Sequence, residues 1–215
     1  MPGFSTRQLD LDVCGDAYRL QVLSDRQQFA DPDGHAERAG VSSAQWPLFG
    51  QLWPAGLRLA EVMHDFDIEG KRILELGCGI GLASLVLKRR GADVVASDMH
   101  PLAESFLAYN AALNGLPMLH FRRVDWASRV PALGLFDVVI ASDVIYEQAQ
   151  VAMLADAIAT YAGDTAEVVV TDPGRGHAAR LTTALALHGF ERAAPAARAA
   201  GAPHALQFRR LAVAA

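Results

Sequence analysis

The sequence predicts an α/β fold: a doubly wound seven-stranded sheet, mostly parallel with an antiparallel C-terminal strand, preceded by a short β-hairpin and a helix. Three observations predict it. From Lys71 onward short β-branched runs alternate with helical stretches, the pattern of successive βαβ units. The first run, Ile73-Leu74-Glu75-Leu76, passes straight into Gly77-Cys78-Gly79-Ile80-Gly81, and the second, Val94-Val95-Ala96-Ser97, ends in Asp98. A strand, a glycine turn, a helix and a second strand ending in an acid make the ligand-binding edge of a Rossmann-like sheet.

The elements follow in order. Residues 8–13 and 17–23 alternate apolar with polar around Cys14-Gly15-Asp16, which reads as a hairpin. Asp31-Pro32-Asp33-Gly34 opens a polar loop, and after Trp53-Pro54 the helical spacing of Leu57, Ala60 and His64 marks one helix before the sheet. Strands are expected at 72–76, 93–97, 119–124, 136–141, 168–171, near Phe190 and at 206–213; helices at 82–89, 102–113, 151–161 and 178–188. The last two strands, joined by a loop with Pro and Gly, suggest an antiparallel pair on the sheet edge. Residues 1–45 are read as an N-terminal extension and 46–215 as one domain.

With 52% hydrophobic and 20% charged residues in a chain of 215, a large core is expected and global disorder is not. No apolar run approaches the roughly 20 residues that span a bilayer, and the first ten lack the apolar centre of a signal peptide. A cytoplasmic monomer without membrane attachment is the expectation. A net charge of -5 and a pI near 5.8 make nucleic acid an unfavoured partner. Cys14 and Cys78 are the only cysteines, and no His/Cys pattern has metal-ligand spacing, so neither a disulfide framework nor a metal is indicated. His64, His120, His177, His188 and His204 fall in no repeated spacing with carboxylates and read as solvated or structural. The Ala- and Arg-rich stretch at 195–201 is biased composition and is assigned no function.

Glycine lacks a Cβ, so the turn at Gly77, Gly79 and Gly81 lets a ligand lie against backbone N–H groups at a helix N-terminus; the alternative is glycine used for packing alone. The dinucleotide fingerprint puts its third glycine three places after the second, whereas Gly81 follows Gly79 by two, which disfavours NAD. Asp98 stands 19 positions beyond Gly79, where a carboxylate accepts both hydroxyls of a ribose; otherwise it caps the next helix. Asp125-Trp126, after the third core strand, offers an acceptor and an aromatic face for a base, with an ordinary core tryptophan as the other reading. The fourth core strand runs into Ser142-Asp143-Val144-Ile145-Tyr146, where Asp143 and Tyr146, three apart, face either an incoming nucleophile or merely a helix start and its packing.

Together, Glu75-Leu76-Gly77-Cys78-Gly79-Ile80-Gly81, Asp98, Asp125-Trp126 and Asp143-Val144-Ile145-Tyr146 resemble the seven-strand (class I) protein lysine methyltransferases, with their acid-x-x-aromatic motif after the fourth strand. Leu52-Trp53-Pro54-Ala55-Gly56 is similar to the tryptophan-bearing helix that helps close the cofactor pocket in that family, and Thr171-Asp172-Pro173-Gly174-Arg175 is similar to the branch that methylates the β subunit of electron-transfer flavoprotein. The resemblance implies S-adenosylmethionine as cofactor, held by Trp53, Glu75, Gly77, Gly79, Gly81, Asp98, Asp125, Trp126 and Ser142. It implies Asp143 and Tyr146 as the catalytic pair acting on a lysine amine of a protein substrate. A small-molecule N- or O-methyltransferase on the same fold is the alternative, followed by a cofactor-binding regulatory module that does not turn over.

Overall fold

The computed structural model describes residues 3–128, 133–194 and 203–210. The stretch at 195–201 and the end of the expected final strand (211–213) lie outside them. The hairpin is β1 (Thr6–Val13) with β2 (Asp16–Leu23), paired antiparallel. A one-turn helix α1 (His35–Arg38) follows, started by Asp31, whose carboxylate accepts the N–H groups of Ala36 and Glu37 at 3.0 and 2.9 Å. A 3-10 turn at Trp46–Leu48 leads into α2 (Pro54–Asp65). Neither short turn was legible, because each is set by contacts distant in sequence and not by periodicity.

The main sheet contains β3 (Arg72–Leu76), β4 (Asp93–Asp98), β5 (His120–Arg123), β6 (Phe136–Ser142), β7 (Ala162–Asp172), β8 (Phe190–Arg192) and β9 (His204–Arg210), with α3 (Leu82–Arg89), α4 (Ala103–Leu113), α5 (Gln148–Tyr161) and α6 (Ala178–Ala186) between them. Its order is β5-β4-β3-β6-β7-β9-β8, and β9 alone runs antiparallel, slotted between β7 and β8. Alternation sends successive side chains to opposite faces. Ile73, Val94, Ala96, Val138 and Ile140 meet α2, α3, α4 and the hairpin on one face, while Leu74, Leu76, Val95, Val139 and Ala141 meet α5 and α6 on the other. β7 is longer than expected and begins where α5 ends, with an irregularity in its pairing to β6 between Phe136 and Val138.

The hairpin is docked by two asparagines one turn apart, Asn110 on α4 and Asn114 at its C-terminal cap. Alternate residues of a strand point their N–H and C=O groups to the same edge, and helix positions i and i+4 share a face. Asn114 therefore accepts from Arg19 N at 2.9 Å and donates to Arg19 O at 2.7 Å, while Asn110 accepts from Gln21 N at 2.6 Å and donates to Gln21 O at 3.3 Å. Asn110, fully buried, also donates to Ile80 O at 3.0 Å, tying the hairpin to the turn after β3. Among the described residues no helix is long and apolar enough to cross a membrane.

Replacing Asn110 by Ala strands the buried Ile80 carbonyl and the part-buried N–H and C=O of Gln21 at once, so it should destabilise the fold by about 1–3 kcal/mol, whereas Asn114→Ala, half-exposed, should cost about 1 kcal/mol or less. Urea denaturation of both variants, with amide exchange at Arg19 and Gln21, checks this. Equal losses in the two would show that the amide pairs do not bear the docking.

Candidate active site

In an open α/β sheet the crevice lies where the strand order reverses, beyond the C-terminal ends of the strands. Here that point is between β3 and β6, and a cavity of about 320 Å³ opens there. Its walls are the turn after β3, the ends of β4, β5 and β6, and the segment 40–53, which folds over the opening from the N-terminal side.

The turn is stitched to the end of β4. Cys78 N donates to Ser97 O at 2.9 Å, Gly79 N to Asp98 Oδ2 at 2.8 Å, and Ser97 Oγ to Glu75 O at 2.7 Å. Gly77 and Gly79 have φ of 70° and 54°, and both line the cavity. A Cβ on Gly77 would stand 2.7 Å from Val144 Cγ1, and one on Gly79 2.7 Å from the Phe49 carbonyl oxygen, so close approach as well as backbone conformation requires glycine at both. Gly81 is placed differently: it caps α3 in the left-handed conformation, its Cβ would collide with Leu107, and it does not line the cavity.

Every other residue singled out as a site candidate reaches the cavity wall: Trp53, Glu75, Asp98, Asp125, Trp126, Ser142, Asp143 and Tyr146. Trp53 is held by a 2.9 Å bond from Nε1 to Leu48 O, with Arg26 over its ring at 5.0 Å. The Asp98 carboxylate is held by Gly79 N and by His100 N at 2.8 Å; burial pushes its pKa up, and those N–H groups oppose the rise. Glu75, 2% exposed, accepts from Ser84 N at 3.0 Å and from the Ser84 hydroxyl, yet burial pushes its carboxyl up to about 7. Asp125 is exposed, with one carboxylate oxygen bonded to Ala127 N at 3.0 Å.

Two features escaped sequence reasoning. The first is the lid: Phe49 stacks on His100 at 3.7 Å with an interplanar angle of 13°, and Trp46 meets both edge-on. Burial lowers the His100 pKa to about 3, so the stack contains a neutral ring. Gly40, Val41 and Gln45, assigned to the extension, line the cavity with it. The second is Arg175. Asp143, 4% exposed and at a left-handed φ of 55°, is ion-paired with the Arg175 guanidinium, which also lies 5.4 Å from the centre of the Tyr146 ring. The motif containing Arg175 was visible in the sequence, but nothing in spacing says that a turn after β7 reaches a residue after β6. His64 and His188, by contrast, pair with Asp65 and Asp156 at 2.7 and 2.9 Å away from the cavity.

Glu75 makes stability depend on pH. Its folded pKa of about 7 lies above the ordinary 4.5, so its contribution is fully present below 4.5 and is lost as pH rises through 7. The Glu75→Gln variant, which has no proton to lose, should gain stability relative to the native chain by about 2–3 kcal/mol between pH 5 and pH 8. Urea denaturation at both pH values reads the difference, and a difference that stays constant would show that Glu75 ionises normally.

Comparison with known proteins agrees with this geometry. The electron transfer flavoprotein beta subunit lysine methyltransferase of Rattus norvegicus is 29% identical over 168 residues, covering 73% of this chain, while the chain spans only 60% of that relative's length. Among solved structures, a T. thermophilus 16S rRNA N2 G1207 methyltransferase in complex with AdoMet and guanosine superposes with a TM-score of 0.63 at 19% identity, covering 95% of this chain and 50% of that one. A magnesium protoporphyrin IX methyltransferase from Synechocystis PCC 6803 with bound SAM gives 0.60 at 22% identity, covering 73% and 80%. These two establish likeness of fold. A family model described as lysine methyltransferase matches residues 43–180, from the lid through α3, the ends of β3 to β7 and into α6. This chain belongs to the lysine methyltransferase family.

Proposed function

We propose that this chain is an S-adenosylmethionine-dependent methyltransferase acting on a lysine amine of a protein. The observation that carries the reading is the cavity at the β3/β6 reversal, with the Gly77 and Gly79 backbone, the Asp98 carboxylate and the Asp143–Tyr146 pair on one wall system. The donor set suits that cofactor. Asp98 keeps lone pairs for two ribose hydroxyls while two backbone N–H groups hold it in place. Met99, Val124 and Trp126 would supply apolar surface for the base, and Glu75 would be the carboxylate available to an α-ammonium group. Gly77 and Gly79 leave the turn bare of side chains, so that a ligand meets backbone. When bound, S-adenosylmethionine supplies a methyl group already activated on a positively charged sulfonium.

The residues of the chain then have to align a neutral amine with that group, and positioning supplies most of the rate. Desolvation at the cavity mouth lowers an amine pKa, while a nearby carboxylate raises it. Asp143 orients the amine, and the half-exposed ring of Tyr146 offers a face for a methylated cation. Burial, then Asp143 and Asp98, push the Tyr146 hydroxyl up to about 12, so it stays protonated near neutral pH and acts as a hydrogen-bond donor, not a base. The released proton passes to water. The lysine acceptor is supported by the family match and by the activity for which the rat relative is named.

Asp98→Ala should weaken S-adenosylmethionine and S-adenosylhomocysteine binding about ten- to a hundred-fold, the loss of charge-assisted bonds worth roughly 1.5–3 kcal/mol. Calorimetry on the folded variant measures it, with NAD as a ligand that should not bind; native affinity in the variant would remove the ribose assignment.

Asp143→Asn should keep cofactor affinity and raise the barrier to transfer by about 2–4 kcal/mol, and Tyr146→Phe should be milder than Tyr146→Ala. The readout is labelled methyl incorporated into a protein extract, followed by mass spectrometry of the labelled residue. Full activity in Asp143→Asn would overturn the role of that residue, and label found only in small metabolites would replace the lysine acceptor with a small-molecule one.

A further inference from the structure

The residue that faces Asp143 is held there by a built turn. β7 ends in Asp172, 4% exposed, whose carboxylate accepts the N–H groups of Gly174 and Arg175 at 2.7 and 3.2 Å. These two hydrogen bonds to one carboxylate oxygen fix the course of the loop, and the Arg175 guanidinium leaves it to pair with Asp143 and lie beside the Tyr146 ring. Asp143 is fixed from its own side as well, donating its N–H to Thr171 O at 3.0 Å. Thr171 in turn donates its hydroxyl to Ala55 O at 2.7 Å, so that the first turn of α2 braces the same point. Arg175 is not among the residues that line the cavity, and its side chain is 35% exposed. The arrangement is a carboxylate at the acceptor end whose charge is balanced from outside the cavity.

We propose that Arg175 is a positioning residue of the acceptor site, which acts through Asp143 by neutralising and orienting its carboxylate so that the entering amine gives up its proton without a bare anion to hold it. This deepens the lysine reading and rests on it. An isolated buried carboxylate beside an amine favours the ammonium form, which has no lone pair to react. A carboxylate already shared with a guanidinium still accepts a hydrogen bond from the amine but stabilises its positive charge far less. Binding and turnover then separate: without Arg175 the acceptor is held as well or better, in the unreactive form.

The test uses the full chain with Arg175→Ala, Arg175→Lys, Asp143→Asn and the double variant Asp143→Asn with Arg175→Ala. The first arm needs no turnover: guanidinium ion is titrated into Arg175→Ala and followed at the Asp143 carboxyl carbon and the Tyr146 ring by NMR. A saturable shift that is lost from the Tyr146 ring in the double variant is expected; no shift overturns the proposal. The second arm measures methyl transfer to the acceptor that the native protein labels. Arg175→Ala should keep cofactor affinity within about two-fold, leave the acceptor KM unchanged or lower, and lose at least about ten-fold in kcat, with partial recovery in Arg175→Lys and on adding guanidinium. Adding Arg175→Ala to Asp143→Asn should cost nothing more, as expected of residues acting as one unit. Native kcat in Arg175→Ala, parallel loss of cofactor binding, or losses that multiply in the double variant would each overturn it. A native protein that labels no protein, together with a positive first arm, overturns the lysine reading and leaves the Asp143–Arg175 pair standing.

Discussion

The site depends on one carboxylate buried where two strands end. Asp98 closes β4 and takes the N–H of Gly79 from the neighbouring turn and that of His100 from its own chain, each at 2.8 Å. Burial makes an anion there costly, and two N–H donors offset the cost. Because one of those donors belongs to the glycine turn, the shape of the turn and the placement of the carboxylate are a single fact. The helix that follows inherits its direction from that turn, since Gly81 is both the end of the loop and the cap of α3.

Around this junction the cavity is closed by chain from outside the sheet. The Phe49 carbonyl would meet a Cβ on Gly79, and the Phe49 ring stacks on His100, two residues past Asp98. The lid thus touches the same two elements that the carboxylate joins. The stack tolerates histidine because the ring is kept neutral by burial, and its Nδ1 accepts the Leu102 N–H at 3.2 Å.

Much of this was legible in the sequence. β3 and α3 fall on the expected residues, because glycines close to both ends of each, Gly70 and Gly77 for the strand and Gly81 and Gly91 for the helix, fix where a mostly apolar segment starts and stops. The seven-stranded sheet and its antiparallel member were likewise expected from the alternation of strands and helices and the turn-rich C-terminal stretch. The candidate site was legible to the extent that ligands of such sheets bind at strand ends, so Glu75, Asp98, Asp125, Asp143 and Tyr146, which all line the cavity, could be picked from position alone. What was not legible depends on tertiary approach. Gly81 repeats the pattern of Gly77 and Gly79 but stands against Leu107 and off the cavity wall. The asparagines of α4 and its C-terminal cap look like ordinary polar helix residues until β2 is seen lying along them. Arg175 and Asp143 are 32 residues apart, and only the pairing of β6 with β7 brings their turns together.

The place of β9 has a consequence for the order in which the molecule can be made. β8 precedes β9 in the chain but pairs with β9 alone, and β7 presents an open edge until β9 enters between them. Until β9 is in place, β7 offers unpaired N–H and C=O groups to other chains and β8 has no neighbour in the sheet. β9 is therefore a latch: the cavity is lined by strands that precede it, and protection of the β7 edge from edge-to-edge association comes only with it.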